Sequence, residues 1–170
     1  MPRTLGQEIG KKDPFDLPEE EAFLNVVRTS NQLSGPIKAL FKDHGLSDAT
    51  YNVLRIVRSG KGKTCSEIGR DMVVRVPDVT RLVDRLEGQG LVTRERGSED
   101  RRVVRVSITR EGERLLRTLD TPPRALLVDQ MAPLTRAALK ACSRPRAPLR
   151  AHASYACHPP PPPPNPRAPP

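Results

Sequence analysis

The stretch from Val76 to Leu116, VPDVTRLVDRLEGQGLVTRERGSEDRRVVRVSITREGERLL, constrains the fold more than any other part of the chain. Val79, Leu82, Val83 and Leu86 recur at i, i+3, i+4 and i+7, which places one apolar stripe of a helix against a core and leaves Thr80, Arg81, Asp84 and Arg85 on the open face. Pro77 fits the first turn of that helix, because the N–H it lacks has no partner there. Gly88 and Gly90 stop it, since glycine takes the left-handed conformation without steric cost. Leu91 to Arg96 and Val103 to Ile108 then read as strands, with Val104, Val106 and Ile108 on one face and Arg105 and Ser107 on the other. Between them lies a polar tip, residues 97–102, ending in Arg101 and Arg102. A helix, a tight turn, a basic hairpin and a further helix, in that order, make a winged helix-turn-helix.

Several motifs in this segment resemble the MarR (multiple antibiotic resistance) regulators. Asp100 and Arg102 at the wing, followed by a strand and by Ile108-Thr109 opening a helix, match that family's pattern. Thr80-Arg81-Leu82-Val83-Asp84-Arg85-Leu86-Glu87 with Gly90-Leu91-Val92 is similar to its recognition helix and the turn into the wing. The resemblance runs from about Glu19 to about Cys142. It implies a mainly α fold with a small β-hairpin wing, and N- and C-terminal helices that interleave two subunits into a homodimer. It also implies a small aromatic or phenolic effector held between the dimerisation and DNA-binding regions.

The rest of the chain is read by the same local rules. Residues 1–18 are polar and expected to be loose. Three carboxylates, Glu19, Glu20 and Glu21, suit a helix N-terminus. Phe23, Val26, Val27, Leu33, Ile37, Leu40 and Phe41 continue an apolar face that Gly35-Pro36 should kink or break and His44-Gly45 should end. Ser47 caps a helix holding Tyr51, Leu54 and Val57, and Thr64-Cys65-Ser66-Glu67 has capping-box spacing for a short helix through Asp71. Thr109 caps the helix after the wing; Thr121-Pro122-Pro123 interrupts, leaving short helices over Arg124 to Met131 and Thr135 to Cys142. The organisation expected is a loose 1–18, a winged domain over 19–142 (DNA-binding core 47–109, dimerisation helices 19–44 and 109–142) and a tail over 143–170. That tail has no acidic residue and no glycine, and Pro159 to Pro164 is unbroken proline, so it is expected to be disordered with a polyproline II stretch. A natural tail and a change of reading frame near Cys142 both fit it.

A formal charge of +9 favours a polyanionic partner. Its distribution matters more than its size: residues 61–120 carry fourteen Lys/Arg against eleven Asp/Glu, and residues 121–170 carry seven against one. The argument for double-stranded DNA therefore rests on where the arginines sit in the winged motif. Arg75, Asp78, Thr80 and Arg81 lie at the N-terminal end of the reading helix, the end that meets base edges. Arginine binds guanine bidentately and aspartate accepts from a cytosine amine. Arg85, one turn later, is placed on phosphate. Arg101 or Arg102 is expected in the minor groove, which is narrow and electronegative, while Asp100 holds an arginine of the wing in place.

Ser59-Gly60-Lys61-Gly62-Lys63-Thr64 ends like a phosphate-binding loop, but Val57 stands where that pattern requires glycine. It reads instead as a basic loop near enough to DNA for Lys61 or Lys63 to reach a phosphate. Cys65, Cys142 and Cys157 are too scattered for a disulfide framework, and Cys65, near a helix start, reads as a structural thiol. His44 reads as a helix-end residue. No nucleophile and base pair up and no metal-ligand spacing occurs, so neither an enzyme nor a cofactor is expected. No apolar run is long enough to cross a bilayer and the N-terminus lacks a signal-peptide core, which leads to the expectation of a cytoplasmic protein. The residues leave two other readings open: a winged-helix protein-interaction module with the proline run as docking ligand, and a product whose altered C-terminus impairs dimerisation.

Overall fold

The computed structural model describes residues 4–60, 62–96 and 103–143. Its elements are α1 (Leu5–Ile9), α2 (Pro18–Asp43), α3 (Asp48–Val57), α4 (Cys65–Asp71), α5 (Val79–Gly88), β1 (Val92–Arg96), β2 (Val104–Ile108), α6 (Arg110–Thr118), α7 (Pro122–Met131) and α8 (Arg136–Ser143). Contacts divide the chain into Met1–Gln130 and Met131–Pro170. In the second unit, α8 begins where Thr135 Oγ1 accepts from the Ala138 amide at 3.2 Å.

The core of the first unit is built on α3. Its residues Thr50, Val53, Leu54 and Val57 repeat at helical spacing and are all buried. Ser47 caps it reciprocally: its Oγ accepts from the Thr50 amide at 3.2 Å, and Thr50 Oγ1 accepts from the Ser47 amide at 2.8 Å. Thr64 and Glu67 cap α4 in the same way, at 3.2 and 2.8 Å. Ile68 from α4, Val83 and Leu86 from α5, Val106 from β2 and Leu116 from α6 join the buried cluster, with Val79 and Leu82 packed at its edge.

β1 and β2 pair antiparallel from Val92 opposite Ile108 to Arg96 opposite Val104. Lys63 extends this sheet on the other side of β2: its amide donates to the Val106 carbonyl at 3.0 Å and accepts in return at its own carbonyl at 2.8 Å. Only Val106 of the β2 apolar face is fully buried. Val104 is 39% exposed, because the hairpin leaves the core towards its tip. The tip, including Asp100, Arg101 and Arg102, and also Lys61 and the tail from 144 onward, lie outside the described residues.

One close approach locks α6 beneath the turn that enters β1. A Cβ on Gly112 would stand 2.2 Å from the Leu91 carbonyl oxygen, so only glycine fits. Thr109 fastens the same turn: its Oγ1 donates to the Gly90 carbonyl at 2.7 Å and accepts from the Gly112 amide at 3.1 Å. On the opposite side, the Arg58 guanidinium bridges α3 to the end of α6, reaching Asp120 at 2.6 and 2.9 Å and Glu113 at 3.1 Å.

Several local expectations are corrected. Residues 1–18 are not uniformly loose. Thr4 and Gln7 form a capping box for α1, Leu5 is buried, and Glu8 pairs with Arg28 of α2 at 2.8 Å. Helix α2 runs through Pro36 without a break and starts one residue early, with Pro18 in its first turn. Proline removes a single ladder bond, and Ile37, Leu40 and Phe41 beyond it are held on the core. The reading helix starts at Val79, because the Asp78 carboxylate caps it and leaves Pro77 outside. Its last residue is Gly88, and Gly90 alone adopts the positive φ, +71°. Pro122 and Pro123 form the first turn of α7, so that helix begins ahead of Arg124.

Candidate nucleic-acid interface

α4 and α5 are the two helices of a helix-turn-helix, with the β1–β2 hairpin beside them. Thr80 and Arg81 lie exposed in the first turn of α5, Arg85 is exposed one turn later, and Arg75 and Asp78 are exposed just before the helix. All five are therefore exposed, Thr80, Arg81 and Arg85 on α5 and Arg75 and Asp78 in the segment that leads into it. Among the described residues, Arg75, Arg81 and Arg85 form no ion pair, whereas Arg55, Arg58, Arg94, Arg105 and Arg117 each have a carboxylate partner. Guanidinium groups with no internal acceptor retain all their donors for an external one.

Asp78 has a task the sequence reading did not assign to it. Its Oδ1 accepts from the Arg81 amide at 2.9 Å, so the carboxylate sets the start of α5 and the position from which Arg81 projects. Lys63 is likewise committed, its Nζ lying 2.6 Å from Asp71, and this ion pair depresses the Asp71 pKa. Close by, Arg105 donates to the Gly62 carbonyl at 3.2 Å and stands 3.8 Å from Glu67. Glu67 is held below its ordinary pKa first by the hydrogen bonds from Thr64 and then by the charges of Arg105 and Lys63. The α3–α4 loop and the wing are therefore one charged, cross-linked unit.

Sequence reasoning missed Arg94. From β1 its guanidinium reaches Asp84 and Glu87 of α5, each at 2.6 Å, and the Thr80 carbonyl at 3.4 Å. Desolvation acts against its charge, but the hydrogen bonds it donates to the two carboxylates, with their negative charges, outweigh it and raise its pKa. A signal was present: two carboxylates one turn apart on an otherwise basic helix face call for a cation.

A cavity of about 640 Å³ lies between α2, α3, the α4–α5 loop and the start of α7. Phe41 and Tyr51 stack at its wall, with ring centroids 4.0 Å apart, and Met72 and Val76 of the α4–α5 loop line it. That loop is tied to α3 by the Val73 amide, which donates to Asn52 Oδ1 at 2.9 Å. Arg55 and Asp120, paired at 3.1 Å, and Arg124 supply its polar rim. Cys65, the first residue of α4, is half-buried and packs on the core.

A helix-turn-helix flanked by a hairpin, with exposed arginines on the second helix that pair with no described carboxylate, defines a winged-helix protein of the nucleic-acid-binding kind. Residues 46–104 match the sequence model of the MarR family. A MarR transcription factor from Planctomyces limnophilus of known structure is 34% identical, with a TM-score of 0.59 over 83% of this chain and 99% of that one. The chain belongs to the MarR family, a family of transcription regulators rather than enzymes. It is 28% identical over 121 residues to the HTH-type transcriptional regulator TtmR of Methylorubrum extorquens, covering 71% of this chain and 62% of that protein's length. Bordetella bronchiseptica BpsR, whose DNA binding is regulated by 6-hydroxynicotinic acid, shares the fold, with a TM-score of 0.68 at 19% identity over 83% of this chain and 98% of that one.

Proposed function

We propose that this protein is a DNA-binding transcription regulator that works as a homodimer, repressing from a pseudo-palindromic operator until a small aromatic ligand releases it. The observation that carries the DNA reading is the exposure of Arg81 and Arg85 on α5 and of Arg75 just before it, with no described carboxylate paired to these arginines. Arg81, fixed by the Asp78 cap, reads base edges; Arg85 meets phosphate; Arg101 or Arg102 of the wing enters the adjacent minor groove.

The dimer rests on α2, where Phe23 is 66% and Val26 52% exposed on one face with Val27. A second copy of the chain would remove that apolar surface from water and set two reading helices about one helical turn of DNA apart. The ligand reading rests on the cavity, whose aromatic wall and charged rim suit a small aromatic acid or phenol. Because the α4–α5 loop lines it, an occupant bears directly on the segment carrying Arg75 and the Asp78 cap. No helix among the described residues is long and apolar enough to cross a membrane, in keeping with action on DNA in the cytoplasm.

The test is Arg81→Ala in mobility-shift titrations on the palindrome nearest the gene and on a scrambled duplex. A loss of roughly 1–3 kcal/mol on the palindrome alone is expected for one bidentate base contact. Equal losses on both duplexes would reduce Arg81 to a phosphate contact, and no binding to either would remove the DNA reading.

A further inference from the structure

Asp84 and Glu87 lie one turn apart on α5, the helix whose other polar residues are arranged for a polyanion. Asp84 has a side chain 57% exposed, and it follows Thr80 and Arg81 at helical spacing. Left alone, two carboxylates on that face would repel phosphates at the distance where Arg81 and Arg85 attract them. Arg94 is the group that answers them. Its side chain is only 23% exposed, and both terminal nitrogens are occupied, Nη1 by Glu87 and Nη2 by Asp84 and the Thr80 carbonyl. A planar guanidinium is suited to such a span, since its donors diverge from one rigid fork, whereas an ammonium is a point charge.

We propose that Arg94 is a positioning residue for DNA binding: it clips β1 to α5, fixing the wing against the reading helix, and it holds Asp84 and Glu87 off the phosphates. This rests on the DNA-binding reading above, but the clip itself is a property of the free protein. With Arg94 in place the three side chains carry a net single negative charge; without it they carry two, and β1 loses its side-chain tie to the exposed face of α5.

The experiment has two arms. In the DNA-free protein, thermal unfolding is compared for wild type, Arg94→Ala, the Asp84→Asn/Glu87→Gln pair, and all three together. Arg94→Ala is expected to lower the midpoint in the wild-type background and to do so less once the carboxylates are neutral. Equal shifts in both backgrounds would overturn the clip.

In the second arm the same proteins are titrated with a random-sequence DNA duplex across a range of salt. Arg94→Ala should weaken binding about tenfold near ~0.1 M salt, as loss of one effective charge implies. Adding Asp84→Asn/Glu87→Gln should restore wild-type affinity or better. If affinity stays low and the slope of log K against log salt stays shallower by about 0.9, Arg94 is itself a phosphate contact and the proposal is wrong. Wild-type protein that binds no duplex, with the thermal coupling present, would remove the DNA reading and this role with it. Normal wild-type binding without rescue by the neutral pair would remove this inference alone.

Discussion

Helices α3 and α2 meet the same core on opposite terms. α3 is ten residues long and buries four of them, while α2 has 26 and buries one, Phe41. α3 sits among α2, α4, α5, β2 and α6, so its apolar stripe is covered within one subunit. α2 is gripped at its C-terminal end by Ile37, Leu40 and Phe41, and its Phe23, Val26 and Val27 remain in water. The winged module thus carries its own core, whereas α2 carries apolar surface that a single chain does not cover. Fully burying one such side chain is worth about 1.5–3 kcal/mol, so the difference separates residues that stabilise the subunit from residues whose gain waits on association.

Leu54→Ala should be the most damaging single change. Leu54 is wholly buried in α3, and truncation there costs the transfer energy plus a cavity, roughly 2–5 kcal/mol by urea unfolding. A cost below about 1 kcal/mol would show that the module does not depend on the α3 stripe. Gly112→Ala ranks next. A Cβ there meets the Leu91 backbone at 2.2 Å, which places the loss at the upper end of the roughly 1–3 kcal/mol of overpacking. If the protein accepted it without change, α6 would not be locked under the wing.

The polar tie between α3 and α6 should matter less and should depend on pH. Hydrogen bonds from Arg58, reinforced by the charges of Arg58, Arg55 and Arg124, hold Asp120 below the ordinary aspartate value. A depressed folded-state pKa means that stability is fully present at neutral pH and is lost as pH falls below about 4 towards the folded-state pKa. Asp120→Asn should therefore lower the melting temperature at pH 7 and flatten its decline in acid. Parallel wild-type and variant curves would deny the ion pair its role. Phe23→Ala should do least to the subunit. Unfolding at protein concentrations too low for association should shift by no more than about 0.5 kcal/mol, the range for surface positions. Light scattering should show weaker self-association. A dimer of unchanged strength would sharpen the comparison differently, by placing the subunit interface away from this face of α2.

What was legible in the chain was local. The stripe Val79, Leu82, Val83 and Leu86, the caps at Ser47, Thr64 and Thr109, and the alternation that marks the hairpin are written in residues two to four positions apart. Backbone periodicity brings those together in any context. The same logic failed at Pro36 and at Leu5, where packing by other parts of the chain outweighed a local cost or supplied a reason to order. It placed Arg81 and Arg85 on an open face, but it did not see that Asp78 is spent as a cap and Lys63 on Asp71.

The sequence by itself determined the helices and strands of the winged module, the apolar face of each, and the order in which they follow one another. Only the tertiary structure decided that Arg94 meets Asp84 across ten positions, that the Val73 amide finds Asn52 across 21, and that Arg105 reaches the Gly62 carbonyl across 43. It also decided that Gly112 must be glycine. The physical reason is that such contacts depend on the rotation and approach of packed elements. Those are set by how all the side chains of the core fill space together rather than by any residue's neighbours in the chain.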